Sequence, residues 1–198
     1  GLTAIYIFKE EYEKAQLWGK ETERLFNNVH FVTNHPLYGA GDILHADSYY
    51  GRAMNLAFLA SAVLAVEKNF EKSDKLFKTG LKYFEDLNYI PGQIIVKALQ
   101  ARIYNRLEMH DKCYTMGQNA IELAIQRGLE DFVWRIGTLT GKTLLEYGQT
   151  AKAEHSFRQA QQSLDLISGS LQTDRAKIRF GVGKEDITYN LAKLDIAK

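Results

Sequence analysis

The residues most suggestive of chemistry are the seven from Gly137 to Thr143, GTLTGKT, which resemble a phosphate-binding loop. That loop needs four residues between its first glycine and the Gly-Lys pair, so that backbone N–H groups can surround a phosphate. Here only three residues intervene, and the stretch lies inside a periodic apolar pattern that is typical of a helix. We therefore predict helix packing at this stretch and no nucleotide site.

A second group of residues with chemical potential is a set of histidines, because three of the five in the chain, His30, His35 and His45, lie between Val29 and Asp47. A metal site requires ligands that converge on one point, and these spacings match no standard site. Histidines dispersed along a loop explain the segment more simply. We expect neither a metal nor any other cofactor.

Carboxylate and nucleophile pairs give no stronger indication of catalysis. Three pairs of neighbouring carboxylates lie near predicted helix starts, where they favour the helix dipole: Glu10–Glu11, Glu130–Asp131 and Glu185–Asp186. No nucleophile is spaced to pair with His110 or His155, so a catalytic arrangement is missing from the pattern. We predict that the protein is not an enzyme.

Composition places the chain among ordinary globular proteins. Its 198 residues carry a formal net charge of +1, which gives no overall attraction to nucleic acid or to a membrane surface. The single cysteine, Cys113, cannot form an internal disulfide, and we expect no membrane span, because no apolar run approaches the necessary length of about 18 residues. We expect a reducing, cytoplasmic environment, with Cys113 serving as a packing residue.

The elements that position these residues follow from an internal repeat. The stretch from Leu59 to Gly80 corresponds to Leu99–Ala120 after a shift of 40 residues and to Leu139–Ala160 after a second shift. The register is visible in small residues that share a column: Ser61, Ala101 and Gly141; Ser73, Cys113 and Ala153; Gly80, Ala120 and Ala160. Helices approach closely only where such small side chains meet, so the repeat predicts an array of helical hairpins.

The repeat divides the chain into an all-α array with two irregular segments. We predict an incomplete first repeat over 1–28, an insertion over 29–47, and repeats over about 48–88, 89–128 and 129–168. Residues 169–198 are expected to form two shorter helices that break near Gly181 and Gly183. Their apolar residues would cover the last hairpin: Ile178, Phe180, Ile187, Tyr189, Leu191, Leu194 and Ile196.

The columns resemble the tetratricopeptide repeat, in which small residues recur at positions 8, 20 and 27 and an aromatic residue at position 24. Two sets of residues fit those spacings: Ser61, Ser73, Phe77 and Gly80, and Gly141, Ala153, Phe157 and Ala160. The departures are a period of about 40 rather than 34 and the lack of the usual Trp/Tyr pair. The resemblance, which covers about Phe8 to Ser168, implies a right-handed α-solenoid of antiparallel helix pairs with a C-terminal capping region.

The resemblance also implies an inner groove lined by the first helix of each pair. Carried over position by position, the lining residues are Asn55, Phe58, Ala62, Ala65 and Val66, then Ile95, Ala98, Arg102, Asn105 and Arg106, then Arg135, Thr138, Lys142, Leu145 and Glu146. From these we expect partner contacts at Asn55, Phe58, Val66, Arg102, Asn105, Arg106, Arg135 and Lys142. The basic residues would pair with carboxylates of a protein or peptide segment. A solvated basic face without a partner is the alternative.

The tail resembles the stretch that joins tetratricopeptide repeats to the caspase-like CHAT protease domain. The residues that carry this resemblance are Arg179, Phe180, Lys184, Asp186 and Tyr189. It implies that the chain is the recognition arm of a larger protein, with a covalently linked protease domain beyond this chain. Three hypotheses therefore stand: a non-enzymatic interaction scaffold, the regulatory arm of such a protease, and a sensor of a peptide signal. Contact with RNA is possible in principle but has no aromatic–basic interleaving to support it.

Overall fold

The structure, a computed structural model, describes the backbone of residues 1–33, 41–170 and 174–196, and the side chains of residues 1–27, 49–169 and 184–195. These residues form helices and short turns, with no strand among them. In chain order the helices are α1 (Leu2–Phe8), α2 (Tyr12–Thr33), α3 (Gly41–Glu67), α4 (Phe70–Asp86), α5 (Ile90–Arg106), α6 (His110–Gln126), α7 (Glu130–Glu146), α8 (Thr150–Ser170) and α9 (Asp174–Ile196). The predicted all-α class is confirmed.

The helix positions reproduce the repeat closely. Helices α4, α6 and α8 begin at Phe70, His110 and Thr150, and α5 and α7 begin at Ile90 and Glu130, so each set is spaced by 40 residues. Helices α4 to α7 are each 17 residues long. The period of 40 is therefore built from two similar halves, each a helix followed by a short turn.

The turns after α1 and after α3 to α7 each have a left-handed residue just past the helix. After α4, the N–H of Tyr89 donates to the carbonyl of Phe84 at 2.8 Å, and the N–H of Asn88 donates to Glu85 at 2.9 Å. This pair of bonds is the Schellman arrangement, which requires a left-handed residue just after the helix. Such residues, all with φ between 50° and 72°, are Glu10, Lys68, Asn88, Glu108, Gly128 and Gly148. Asn88 and Gly128, where two of the predicted repeats end, are two of them.

The first compact unit comprises Gly1–Ile103. Within it α1 packs on α2 and α3, α2 packs on α3, and α3 packs on α4. Residues 55 to 64 of α3 are all buried, and all of them except Asn55 and Ser61 are apolar. The column residue Gly80 lies against α3, where an added Cβ would stand 2.9 Å from the carbonyl oxygen of Ala53. A side chain there would push the two helices apart.

The second compact unit comprises Tyr104–Lys198. Within its described residues α6 packs on α7, α7 on α8, and α8 on α9. A Cβ added at Gly141 would stand 2.8 Å from the ring of Phe157, and one added at Gly117 would stand 2.7 Å from Oγ1 of Thr140. The small-residue columns in both units are therefore places where helices meet.

The C-terminal segment departs from the prediction. A single helix, α9, runs from Asp174 to Ile196 through both Gly181 and Gly183, so the predicted break is wrong. An interior glycine costs a helix only about 1 kcal/mol and does not by itself end it. Ile187, Leu191 and Leu194 are buried as predicted, within a cluster that includes Phe157 and Leu164. The other predicted covering residues, apart from Tyr189, have side chains outside the described part of the chain.

Helices extend into both ends of the predicted insertion over 29–47, because α2 continues to Thr33 and α3 begins at Gly41. Residues 34–40, and the side chains of His30, His35 and His45, lie outside the described residues.

One described segment, Tyr49–Glu67 in α3, has the length and apolar composition of a membrane span, contrary to our reading of the sequence, and 61% of it is buried inside the molecule.

Candidate partner-binding cleft

The stretch that resembles a phosphate-binding loop is helical throughout. Gly137–Thr143 lies within α7, and Gly137 and Gly141 are buried against α8. The hydroxyls of Thr138, Thr140 and Thr143 each donate to the carbonyl four residues earlier, at 2.7–2.9 Å. With its backbone N–H groups committed to the helix, the stretch has none to offer a phosphate.

The other reactive groups are also committed to packing. Cys113 is buried, and its desolvation raises the pKa of the thiol from 9.0 to about 11. Such a thiol stays protonated near neutral pH and is a poor nucleophile. Among the residues whose side chains are described, no group of three or more His, Cys, Asp or Glu is placed to hold a metal ion.

Asn55, the first predicted groove residue, is a buried junction between three helices. Its Oδ1 accepts a hydrogen bond from Thr3 Oγ1 at 3.0 Å, and its Nδ2 donates to the carbonyl of Gly19 at 3.0 Å and to Glu23 at 2.9 Å. Its exposed fraction is 6%. Because its polar atoms are satisfied within the chain, Asn55 has little to offer a partner, and we remove it from the proposed contact set.

Two of the other predicted groove residues in the first unit, Phe58 and Arg102, contact Phe8 of α1. Phe58 is largely buried and packs edge-on against Phe8, with 6.1 Å between ring centroids. The Arg102 guanidinium lies 4.9 Å from the centroid of the same Phe8 ring, a cation–π contact. Val66 is the most exposed of these groove residues. Phe58 and Arg102 thus contribute to holding α1.

The predicted groove residues of the second unit are more accessible. Asn105 is half-buried and Arg106 is exposed. Arg135 is exposed, bonds to Asp131 at 2.9 Å and lies 4.6 Å from the Trp134 ring centroid. Lys142 is paired with Asp186 of α9 at 2.6 Å. Of this set, only Lys142 lines a described cleft.

That cleft lies between α7 and α9 and has a volume of about 470 Å³. Helix α7 contributes Lys142, Leu145 and Glu146, three positions that the tetratricopeptide resemblance assigns to the inner groove. Helix α9 contributes four residues, which are Asp186, Tyr189, Asn190 and Lys193. The cleft is thus lined by two amines, two carboxylates, an apolar side chain and an aromatic ring.

The wall of the cleft on α9 is fixed by packing below it. The residues that pack against α8 recur at helical spacing, as Ile187, Leu191 and Leu194, and thereby turn the adjacent face of α9 towards the cleft. Tyr189 on that face is 60% exposed, so its predicted role in covering the last hairpin is wrong. The Lys193 amine lies 4.5 Å from the Tyr189 ring centroid and covers part of it.

The α9 side of the cleft was missed in reading the sequence, although a signal for it exists. Once Ile187, Leu191 and Leu194 are taken as the buried stripe of one helix, Asp186, Tyr189 and Lys193 fall on a neighbouring stripe. The expectation of a break at Gly181 and Gly183 hid that pattern.

The fold and the cleft define the class of this protein: in its described residues it is an all-α protein with a helical repeat. Comparisons of the chain with models of protein families, with curated proteins and with solved structures gave no match.

Proposed function

We propose that the protein is a non-enzymatic interaction scaffold that binds a peptide or helical segment of another protein in the cleft between α7 and α9. The observation that carries the proposal is that Lys142, Leu145 and Glu146, three groove positions implied by the tetratricopeptide resemblance, line one cleft together with Tyr189 and Lys193. The proposal includes a right-handed, tetratricopeptide-like stacking of the helix pairs.

The chemistry of the cleft suits a segment with an apolar anchor and a neighbouring carboxylate. Leu145 and the exposed ring of Tyr189 offer apolar and aromatic surface. Lys193 stands over that ring, so a carboxylate of the partner would approach the amine from the open side. Lys142 already neutralises Asp186, and we therefore assign the electrostatic recognition chiefly to Lys193.

The proposal is tested by selecting binders from a phage-displayed library of random 12-residue peptides and measuring their affinity by fluorescence anisotropy. We expect enriched peptides to combine an aromatic or large apolar residue with Asp or Glu. Tyr189→Ala removes a central contact and Lys193→Glu reverses the charge of another, so each substitution should lower the affinity for these peptides by about tenfold or more.

Arg158→Glu is the matched control for the charge reversal, since Arg158 is an exposed cation on α8 paired with Glu154 and does not line the cleft. The affinity of the Arg158→Glu variant for the peptides should stay within twofold of that of the unmodified chain. Peptides that lose equal affinity to Lys193→Glu and Arg158→Glu, or a selection that yields no consensus, would refute the cleft as the site. Arg102 and Arg106 belong to the predicted groove but do not line the cleft. Measuring peptide affinity after charge reversal of these two arginines therefore distinguishes binding in the cleft from binding elsewhere in the predicted groove.

Two further functions remain predictions from the sequence. The CHAT-like tail residues that are described belong to α9, where Asp186 and Tyr189 line the cleft and Lys184 pairs with Asp165 at 2.6 Å. Nothing in these contacts favours a protease arm or a peptide-signal sensor over a scaffold. Cytoplasmic location stays part of the proposal.

A further inference from the structure

The charged residues that line the cleft between α7 and α9 differ in whether they already have partners. At one end, the Lys142 amine lies 2.6 Å from Oδ2 of Asp186. Asn190 holds the same residue, since its Nδ2 donates to the carbonyl of Asp186 at 2.7 Å and to Oδ1 at 3.3 Å. Both carboxylate oxygens of Asp186 therefore have partners, and this end of the cleft offers little net charge to a ligand.

The other two charged residues of the cleft, Glu146 and Lys193, have no ion-pair partner among the residues whose side chains are described. Glu146 is exposed at the end of α7, and Lys142, one turn before it, is committed to Asp186. The Lys193 amine lies 4.5 Å from the Tyr189 ring centroid, a contact that positions the amine without neutralising it. The cleft thus presents one unpaired carboxylate and one unpaired amine.

The two unpaired charges lie on opposite walls of the cleft and at different points along it. The α7 residues after Lys142 share the cleft with the α9 residues after Asp186, so the residue numbers of both walls rise in the same direction. Glu146 is four residues beyond this ion pair and Lys193 is seven, which is about 6 and 10 Å along the two helices. A bound segment therefore meets the carboxylate and the amine at two separate points.

Charge complementarity then restricts what the cleft accepts. A segment that covers Lys193 and Glu146 removes both from water, and each charge so buried is costly unless the segment supplies the opposite charge. Leu145 and the ring of Tyr189 add apolar surface between the two walls. A segment with only acidic residues satisfies the amine and places a like charge near the carboxylate, so it fits less well than a segment with both signs.

We propose that the partner segment carries a basic residue that pairs with Glu146, in addition to an acidic residue at Lys193 and an apolar or aromatic residue between the walls. Glu146 is then the residue that determines specificity for the basic side chain. This inference rests on the proposed function and adds the second charge to it. Since the two positions differ by only about 5 Å along the cleft, the two charged residues of the segment lie within about four residues of each other.

The test repeats the selection from the random 12-residue library on three proteins, which are the unmodified chain, Glu146→Lys and Glu122→Lys. Glu122 is the matched control, since it is an exposed glutamate of α6 in the same unit and does not line the cleft. We expect the unmodified chain and Glu122→Lys to enrich peptides with an acidic, an apolar and a basic residue. Glu146→Lys should enrich peptides in which Asp or Glu replaces the basic residue.

Fluorescence anisotropy with a peptide enriched on the unmodified chain measures the size of the effect. Replacing the basic residue of the peptide by Glu should weaken binding to the unmodified chain by about tenfold or more. The Glu146→Lys variant should recover most of that loss, because reversing both charges of a contacting pair restores the attraction. The Glu122→Lys variant should recover none of it.

The outcomes separate this inference from the proposed function. A consensus without a basic residue, or the same consensus on Glu146→Lys, overturns the inference and leaves the cleft as the binding site. A selection without any consensus on the unmodified chain overturns both. A concentration-dependent dimer in analytical ultracentrifugation that Glu146→Lys abolishes also overturns the inference, because a second copy is then the occupant. Glu146→Lys should fold normally, since a cation at the last residue of α7 suits the helix dipole, and circular dichroism checks this.

Discussion

The first and last hairpins of the chain differ in how their apolar surfaces are covered. On the last hairpin, α7–α8, helix α9 places Ile187 and Leu194 in a buried cluster. On the first hairpin, α1–α2, Leu2, Ile5 and Phe8 remain 44%, 49% and 56% exposed. The apolar surface of the last hairpin is therefore covered by a further helix, whereas these side chains of the first hairpin are exposed. We call the last hairpin closed and the first hairpin open.

The exposure of Ile5 does not come from its position in the repeat. Its counterparts after successive shifts are Val63, Ile103 and Thr143, and all three are buried. The repeat specifies which side of a helix is apolar, whereas the neighbouring element decides whether that side meets water.

The largest expected difference comes from removing a phenyl ring in each hairpin. Phe157→Ala should lower the free energy of unfolding of the second unit by about 3–5 kcal/mol, because its ring is fully buried. Phe8→Ala removes an exposed ring that contacts Phe58 and Arg102, and should cost the first unit about 1 kcal/mol.

The two tryptophans allow each unit to be measured by itself. Trp18 lies in the first unit and Trp134 in the second, so urea unfolding followed by fluorescence in the Trp134→Phe or the Trp18→Phe background reports one unit at a time. Losses of equal size for the two rings would contradict the comparison, since they would mean that the first hairpin is as well covered as the last.

The next test compares the ion pairs that join helices at the two places. Arg52 and Glu23 link α3 to α2 at 3.0 Å, with exposed fractions of 23% and 16%, and Arg52 also donates to Asn27 at 2.8 Å. Lys142 and Asp186 link α7 to α9 with fractions of 45% and 37%. Double-mutant cycles should give a coupling free energy of about 1–2 kcal/mol for the first pair.

The exposed pair should couple by only about 0.5 kcal/mol or less, because solvent screens it. This expectation assigns the docking of α9 to Ile187, Leu191 and Leu194 rather than to charge. A coupling at Lys142–Asp186 as large as that at Arg52–Glu23 would reverse the assignment. Repeating both cycles in 0.5 M NaCl separates the two cases, because only the exposed pair should weaken markedly.

Features of the fold that depend on residues close together in the sequence could be predicted, whereas features that depend on contacts between distant segments could not. Helix ends at Asn88, Gly128 and Gly148 were predictable because these residue types accept the left-handed conformation. Lys68 and Glu108 hold the same conformation without any such preference, and only the 40-residue period reveals them. Local chemistry and periodicity thus account for the helices.

The site was only partly predictable because its members come from different helices. The resemblance to the tetratricopeptide repeat placed Lys142, Leu145 and Glu146 of α7 in the groove, and all three line the cleft. It also selected Asn55, whose burial depends on the Gly19 carbonyl and the Glu23 carboxylate of another helix. A pattern along one helix carries no information about such partners.

A third test asks whether the small-residue columns pack as tightly in both units. Cys113 stands in the column that holds Ala15 of the first hairpin and Ala153 of the last, and all three are buried. Burial raises the pKa of the Cys113 thiol from 9.0 to about 11. The folded protein therefore keeps a proton that the unfolded chain loses, so the contribution to stability is complete below pH 9 and is lost as the pH rises towards 11.

We expect the free energy of unfolding of the second unit to fall by about 1 kcal/mol more in the unmodified chain than in Cys113→Ala between pH 8 and pH 10. Alanine is the right control because Ala15 and Ala153 fill the same column. Parallel pH profiles for the two proteins would show that the thiol reaches solvent and that this column is looser than those beside it.

The smallest expected changes in stability come from the turns. At the left-handed position of the turn, the first hairpin has a residue with a side chain and the last hairpin has glycine. Glu10 turns the first hairpin with φ of 63°, and Gly148 turns the last with φ of 72°. A residue with a Cβ is strained there and glycine is not. Glu10→Gly should therefore stabilise the first unit by about 0.5 kcal/mol, after the greater flexibility of unfolded glycine is subtracted.

Gly148→Ala should destabilise the second unit by about 1 kcal/mol, because no other atom lies within 4 Å of the added Cβ and the cost is conformational strain alone. Both changes are measured by urea unfolding in the single-tryptophan backgrounds. Opposite signs at one repeat position would show that the turns of the open and closed hairpins are equivalent, so that the difference between them lies in the covering helix. A loss of stability in Glu10→Gly would instead show that the interactions of Glu10 outweigh the strain of its left-handed backbone.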